Sequence, residues 1–184
     1  MQSRLAAVIV AAACVAALSA SSDSPASAAG AEEAVAVSFD DWRFRRDSDG
    51  RGLSEGWAGM RFDDSQWGPI EVPAYWSHTW IGGYLGYGWY RARFEVPEDA
   101  ADARLTLEFG SVDEQAWVFV NGRIVGEHTI ASEDSTVGEL WNSPFVIEVD
   151  ADHLQPGDKN VLAVLVHAST GDGGIWLPVV ATLQ

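Results

Sequence analysis

Alternating apolar and polar residues in the middle of the chain predict a β-sheet. The alternation runs through residues 90–96, 105–109 and 116–120. A period of two is typical of a strand with one buried face. Asn121-Gly122 follows the third run, and Asn-Gly is a strong hairpin signal because both turn positions favour a positive φ. The centre of the chain is therefore predicted to hold three strands, with a hairpin after the third.

Further strand patterns flank this centre and predict an all-β fold. They lie at residues 37–45, 70–73, 144–149, 160–168 and 177–183. The run 160–168 is apolar at both parities, which is typical of a central strand covered on both faces. Only a single helical turn, at residues 152–154, is indicated. About eight strands joined by long loops predict a jelly-roll β-sandwich.

The first residues have the layout of a secretory signal peptide. Arg4 precedes an apolar run at residues 5–20, and Ala26-Ser27-Ala28 gives a cleavage site. The run is short for the ~20 residues that span a bilayer. We therefore predict a signal peptide at 1–28, a loose leader at 29–36, a sandwich domain at 37–184 and a secreted product. Lipidation at Cys14, the one cysteine, is the minor alternative.

Charge limits the partners that this chain can have. The formal net charge is -16, with 27 acidic and 11 basic residues. Such a chain repels nucleic acid and anionic membranes, so we predict neither as a partner once the signal peptide is removed. Nine tryptophans suit a protein that stacks rings against sugars. The charge therefore favours carbohydrate as the partner.

A series of short motifs then occurs in a fixed order. They are FDDSQW (62–67), Val72-Pro73 with Trp76, GWYR (88–91), FEVP (94–97), FGSVDE (109–114), VFVNG (118–122), Val125-Gly126 with His128, Pro144-Phe145, NVLAVLV (160–166) and GGIW (173–176) with Pro178. In this order they resemble the sugar-binding domain at the N-terminus of glycoside hydrolase family 2 enzymes, the β-galactosidases and β-glucuronidases. The resemblance implies a galactose-binding-like jelly roll.

The resemblance also implies that this chain is not itself an enzyme. In those enzymes the two catalytic glutamates lie in a separate barrel, and this sequence ends at Gln184. Neighbouring acids occur at Asp40-Asp41, Asp63-Asp64, Asp113-Glu114 and Glu133-Asp134. Neighbours on a strand point to opposite faces, so we expect these acids at the surface or in turns, with a local turn at Asp63-Asp64-Ser65.

Neither a cofactor nor a metal site is predicted from the sequence. The four histidines are His78, His128, His153 and His167, and no two lie within four residues of each other. A zinc site therefore has no support, and His167 reads as a structural group. A structural calcium ion on Asp and loop carbonyls remains an alternative.

The aromatic residues divide into core and loop sets. Trp42, Trp57, Trp67 and Trp117 lie in strand patterns and are predicted to pack in the core, with Trp89 and Tyr90 structural as well. Three loops, at residues 75–88, 140–142 and 169–176, hold aromatics that strands do not use. These loops either pack on themselves or bind a sugar ring. The candidate ligand-binding residues are Trp76, Trp80, Tyr84, Trp141, Asn142, Asp172 and Trp176.

Three functions remain compatible with the sequence. The first is a secreted, non-catalytic carbohydrate-binding module, which could attach to a glycoside hydrolase catalytic chain. The second is the N-terminal part of a secreted β-galactosidase- or β-glucuronidase-like enzyme that lacks its catalytic barrel here. The third is a structural module that docks on another protein, for which a large apolar patch away from the loops would be the sign.

Overall fold

Residues 34–184 form an all-β structure in a computed structural model, which describes this part of the chain. The predicted signal peptide and Cys14 lie outside it. The twelve strands are β1 (Val35–Val37), β2 (Asp40–Arg46), β3 (Gly68–Pro69), β4 (Gly86–Glu95), β5 (Leu105–Phe109), β6 (Val112–Asp113), β7 (Gln115–Val120), β8 (Arg123–His128), β9 (Phe145–Val149), β10 (Lys159–Ala168), β11 (Gly174–Ile175) and β12 (Val179–Leu183). One helical turn, α1 (Val137–Leu140), and two 3₁₀ turns, Trp76–His78 and Ala151–His153, lie between strands.

The strands form two antiparallel sheets and a small third pair. One sheet has the order β1-β12-β5-β9, the other has the order β3-β2-β4-β10-β7-β8, and β11 pairs with β6. The predicted all-β sandwich is confirmed. The strand number exceeds the prediction of about eight because β1, β3, β6 and β11 are only two or three residues long. Alternation cannot be detected over so short a span.

The main core lies between the two large sheets. Leu162, Val164 and Val166, at alternate positions of β10, belong to it. The residues between them, Ala163 and Leu165, are also buried but belong to a second cluster on the outer face of the same sheet. The strand is therefore covered on both faces, as its apolar run predicts.

The second cluster is a small aromatic core on the outer face of the larger sheet. The ring of Trp57 lies 5.3 Å from that of Trp67 and 6.4 Å from that of Trp89, and Phe119 completes the group. Residues 47–67 thus form a cover over β4, β7 and β10. The core positions predicted for Trp57, Trp67 and Trp89 are confirmed, and Tyr90, Trp42 and Trp117 also pack against the cores.

Beneath this cover lies a buried ion-pair cluster that the sequence did not predict. Asp64 accepts hydrogen bonds of 2.8 Å from Arg91 Nε and from Arg93 Nη2. Burial opposes the ionised form of Asp64, but these bonds outweigh it and lower the pKa of that carboxyl. The expectation of a surface position is wrong for Asp64, which is buried. The predicted turn is confirmed at Asp63, whose carboxylate accepts the N–H of Ser65 at 2.9 Å.

The Asn-Gly hairpin is present between β7 and β8. Asn121 has a φ of 54° and Gly122 a φ of 89°, as a turn with two left-handed residues requires. The Asn121 side chain also donates to Asn160 Oδ1 at 2.7 Å and accepts the N–H of Val161 at 2.9 Å. The hairpin is thereby fastened to the start of β10.

Two predicted boundaries are wrong. The loose leader predicted at 29–36 overlaps the fold, because Val35 and Ala36 belong to β1, which pairs with β12. The short strand predicted at residues 70–73 lies instead at Gly68–Pro69 and pairs with β2. The N–H of Ile70 still donates to the carbonyl of Trp42 in β2, and further along the N–H of Ala74 donates to the carbonyl of Ile175.

Within residues 34–184, no helix has the length and apolar character needed to cross a membrane.

Candidate functional site

The three loops singled out in the sequence meet at one end of the sandwich, around the β6–β11 pair. The N–H of Trp76 donates to the carbonyl of Gly173 at 2.8 Å, which joins the first loop to the third. The indole N–H of Trp176 donates to the carbonyl of Trp141 at 3.0 Å, which joins the third loop to the second. The structure therefore brings the three segments into contact.

An aromatic row, formed by Tyr75, Trp176 and Trp141, runs across this junction. The rings of Tyr75 and Trp176 are 4.9 Å apart and 9° from parallel. Those of Trp176 and Trp141 are 5.5 Å apart and 25° from parallel. Trp141 is 38% exposed, and the other two are half-buried, so part of the ring surface remains open to solvent.

Trp76 is not part of this row, and its assignment as a ligand-binding residue is wrong for this structure. Its side chain is fully buried in the main core. The indole N–H donates to the Tyr90 hydroxyl at 2.6 Å, and the ring packs 5.5 Å from that of Phe44. A ring with no exposed surface cannot stack on a sugar, so Trp76 supports the loops from beneath.

Trp80 and Tyr84 lie apart from the row. The Trp80 indole N–H donates to the carbonyl of Pro69 at 2.6 Å, and its ring packs 6.1 Å from that of Phe44. The Tyr84 ring lies 5.4 Å from that of Trp76, and the guanidinium of Arg46 lies 4.8 Å from its centre. Among the described residues, no close ring pair joins Trp80 or Tyr84 to Tyr75, Trp141 or Trp176. Trp80 remains 58% exposed.

The second loop is held in place by the helical turn that precedes it. Glu139 accepts the N–H of Thr136 at 3.2 Å, which is half of a capping box and fixes the start of α1. The Ser111 hydroxyl donates to the carbonyl of Trp141 at 2.7 Å. Asn142, the next residue, is exposed, so its amide is open to a ligand at the end of the row.

Asp172 ties the third loop to the first. Its carboxylate accepts the N–H of Ser77 at 3.1 Å and that of Gly173 at 2.9 Å. The Ser77 hydroxyl donates to it as well. Because an ionised carboxylate has about four lone-pair sites, Asp172 can still accept a hydrogen bond from a ligand.

Asp113 is the site residue that sequence reasoning missed. It is 8% exposed and lies opposite Gly174 in the β6–β11 pair. Among residues 34–184 its carboxyl has no hydrogen-bond partner, and burial, Glu114 and Asp172 together raise its pKa to about 7. The expectation of a solvated acid is wrong here. The sequence offered one indication that Asp113 is buried, which is its place beside the apolar Val112.

Glu114, the adjacent acid, has a structural role. It is 1% exposed and accepts hydrogen bonds from the N–H and hydroxyl groups of Ser169 and Thr170, all between 2.7 and 2.9 Å. Burial opposes its ionisation, but these four bonds lower its pKa overall. Glu114 therefore stays ionised and holds the third loop against β6.

The site combines flat ring surface with hydrogen-bonding oxygens. Burial, Asp113 and Asp172 raise the pKa of the Tyr75 hydroxyl, which keeps it protonated and able to donate. Among residues 34–184, no group of three or more His, Cys, Asp or Glu side chains could hold a metal ion. The arrangement is suited to bind a ligand that has one apolar face and several hydroxyl groups.

Asp113→Asn should stabilise the protein at neutral and higher pH. The folded state raises the pKa of Asp113 from 3.8 to about 7, so it binds a proton more tightly than the unfolded state does. Stability then falls as pH rises through this window, and Asn removes the loss. We expect a gain of roughly 1 to 3 kcal/mol at about pH 8 and almost none at about pH 4.

Chemical denaturation at both pH values measures this effect. Glu108→Gln, a change at an exposed acid on β5, is the matched control and should not alter the pH dependence. An equal effect of Asp113→Asn at the two pH values would show that its carboxyl is as well solvated as in the unfolded chain.

Comparison with known proteins agrees with this fold. A family model described as the β-galactosidase second all-β domain matches residues 62–172. A solved structure of a β-glucuronidase from glycoside hydrolase family 2 superimposes with a TM-score of 0.66 at 21% identity, over 82% of this chain and 18% of that one. At that identity the likeness shows the fold.

Curated relatives are longer proteins that match part of the chain. The β-galactosidase BoGH2A of Bacteroides ovatus is 31% identical over 140 residues, which are 65% of this chain and 15% of the relative. A β-glucuronidase of Paenibacillus borealis is 34% identical over 91 residues, which are 47% of this chain and 15% of the relative. The chain thus spans less than a fifth of the length of either relative.

The family match covers more than half of the chain, and it includes the hairpin, the central strands and the acids Asp113 and Glu114. The likenesses in sequence and fold point to the same group of proteins. The chain belongs to the family of the second all-β domain of β-galactosidases, a sugar-binding type of domain found in glycoside hydrolase family 2.

Proposed function

We propose that this chain is a secreted, non-catalytic domain that binds carbohydrate at the aromatic row. The observation that carries the proposal is the position of Asp113. Asp113 is 8% exposed, and its carboxyl has no hydrogen-bond partner among the described residues. It lies opposite Gly174, two residues before Trp176 of the row. Its oxygens are not among the enclosed, unpaired side-chain atoms of residues 34–184, so a ligand hydroxyl that reaches this end of the sandwich can donate a hydrogen bond to them.

The chemistry of a pyranose suits this arrangement. Its ring has an apolar face made by C–H groups, which stacks on an aromatic ring, and hydroxyl groups around its edge, which donate and accept hydrogen bonds. Trp141 and Trp176 offer the ring surface. Asp113, Asp172 and the Tyr75 hydroxyl offer the polar partners.

A non-catalytic role agrees with the state of the carboxylates. Glycoside hydrolysis uses two carboxyl groups, one on each side of the scissile bond. Glu114 has both oxygens occupied by Ser169 and Thr170, so it is not free to attack a sugar. In the family that the sequence resembles, the catalytic glutamates belong to a separate barrel.

Export is part of this proposal and rests on the signal-peptide layout of residues 1–28. N-terminal sequencing of the secreted protein checks it, and Ala29 is the expected first residue. An intact Met1 or a lipidated Cys14 would contradict it.

The second candidate function is that of an accessory domain in a longer secreted glycosidase. The chain matches only 15% of BoGH2A, and the outer face of the larger sheet has an apolar cleft. Leu53, Tyr87, Trp117 and Ile124 line this cleft of about 420 Å³. If another domain covers it, amide hydrogens in β7 and β8 should exchange more slowly in the longer protein than in this chain alone. Equal exchange would contradict that role.

Trp141→Ala and Trp176→Ala should each weaken sugar binding five- to tenfold. One stacked ring contributes on the order of 1 kcal/mol beyond buried area, and 1.4 kcal/mol is a factor of ten. Screening on a glycan array identifies a ligand, and titration calorimetry then measures the affinity of each variant. Circular dichroism confirms that the variants are folded.

Trp80→Ala is the matched control because Trp80 is the most exposed tryptophan of the first loop and is not part of the row. It should leave the affinity unchanged. A loss at Trp80 equal to that at Trp141 would place the binding site in a cleft that Pro69, Glu71 and Trp80 line, apart from the row. Unchanged affinity in all three variants would show that the aromatic row does not bind the sugar.

A further inference from the structure

Two carboxylates, those of Asp113 and Asp172, lie at the aromatic row, and no cation pairs with either of them among the described residues. Asp172 accepts the N–H of Ser77, two residues beyond Tyr75, and Asp113 lies opposite Gly174, two residues before Trp176. Within residues 34–184, neither carboxylate forms an ion pair with Lys, Arg or His. His78 is a basic side chain that packs edge-on against Tyr75 of the row. Its ring lies 5.8 Å from that of Tyr75.

The charge of the whole molecule adds to the negative potential that these carboxylates create. The net charge of -16 creates a negative potential that repels anions before contact. Above its pKa of about 7, Asp113 adds a negative charge inside the site. That charge repels an anion strongly because Asp113 is nine-tenths buried and charges interact more strongly where water is excluded.

A positive group on the ligand would have the opposite effect. The electron-rich faces of Trp141, Trp176 and Tyr75 attract a cation. The carboxylates of Asp113 and Asp172 accept hydrogen bonds from an ammonium group more strongly than from a neutral hydroxyl, because a charge-assisted bond is about twice as strong.

From this arrangement we propose that the site selects sugars by charge, preferring amino sugars, accepting neutral sugars and rejecting uronic acids. This inference rests on the proposed function and specifies the ligand class of the same site. It separates the chain from several of its relatives, which are named β-glucuronidases.

Binding of matched sugars to the intact chain tests the proposal. The probes are the methyl β-glycosides of glucose, glucosamine, N-acetylglucosamine and glucuronic acid, together with the corresponding galactose series. At low ionic strength the free amine should bind about tenfold more tightly than its N-acetyl form, and the uronate at least about tenfold more weakly than the neutral sugar. Added salt should reduce the preference for the amine.

The second part of the experiment uses variants in which one of the two carboxylates is replaced by a neutral amide. In Asp113→Asn and Asp172→Asn, the neutral sugar and the uronate should differ in affinity by less than in the unaltered chain. Ser77→Ala, which removes a donor to Asp172 but no charge, is the control and should preserve the order of affinities.

The outcomes separate this inference from the proposed function. If the uronate binds as well as the neutral sugar, or if the amine has no advantage at low salt, selection by charge is wrong while sugar binding stands. If none of the sugars in either series binds, the site is not a monosaccharide site and both proposals fail together.

Discussion

Asp64→Ala is expected to lower the free energy of unfolding by about 3 to 5 kcal/mol, the usual cost of removing one partner of a buried ion pair. Asp64 is 3% exposed and bonds to both Arg91 and Arg93. Its loss leaves the guanidinium of Arg91 buried beneath the aromatic cover without its carboxylate partner, although the carbonyls of Trp57 and Gly59 still accept bonds from it.

The effect should depend on pH in a definite direction. The folded state lowers the pKa of Asp64, so the unfolded state holds the proton more tightly. The stabilising contribution is therefore present above the unfolded pKa of about 4 and is lost as pH falls through the folded pKa. The difference between the unaltered chain and the variant should shrink in acid.

Urea denaturation at neutral and acidic pH provides this measurement. Asp152→Ala is the matched control, because Asp152 also pairs with an arginine, Arg123, but at an exposed site. It should have little effect. If Asp64→Ala and Asp152→Ala prove equally mild at neutral pH, the Asp64 cluster is not what holds the cover on the sheet.

Trp76→Ala should be the second strongly destabilising change, with a loss of about 3 to 5 kcal/mol. The substitution opens a cavity in the main core and leaves the buried Tyr90 hydroxyl without the indole N–H that donates to it. Trp76→Phe keeps most of the ring but loses the hydrogen bond, and we expect a smaller loss of about 1 to 3 kcal/mol.

Thermal and chemical denaturation of both variants, with Trp80→Ala as the control, checks the expectation. Trp80 lies four residues further along and is 58% exposed, so its removal should cost less than about 1 kcal/mol. Comparable losses for Trp76→Ala and Trp80→Ala would mean that the first loop does not rest on Trp76 as the structure shows.

Hydrophobic periodicity predicted the long strands because each long strand has a clear inside and outside. It predicted β10 especially well, since a strand that is apolar at both parities must be covered on both of its faces. It also placed Asn121-Gly122 in a hairpin, where turn chemistry acts locally. The two-residue strands β6 and β11 were beyond this method, because two residues cannot show a period.

Burial of individual residues was harder to predict than the strands. Trp76 and Trp80 occupy similar glycine-rich surroundings in the sequence, yet one is buried and the other exposed. The difference arises because Trp76 packs on Phe44 from within the core and bonds to Tyr90. Asp64 and Asp113 each have an acid as neighbour, which suggests a solvated surface. Their burial depends on Arg91 and on β11, which lie far away in sequence.

The most direct test of sugar binding at the aromatic row is an NMR titration that follows the nine tryptophan indole N–H signals. The titrants are a ligand found on the glycan array and, as the monosaccharide probe, methyl β-galactoside. We expect the signals of Trp141 and Trp176 to shift in a saturable way. Those of the buried Trp57, Trp67 and Trp89 should stay in place. Saturable shifts confined to Trp80 or Trp117, with Trp141 and Trp176 unmoved, would contradict it.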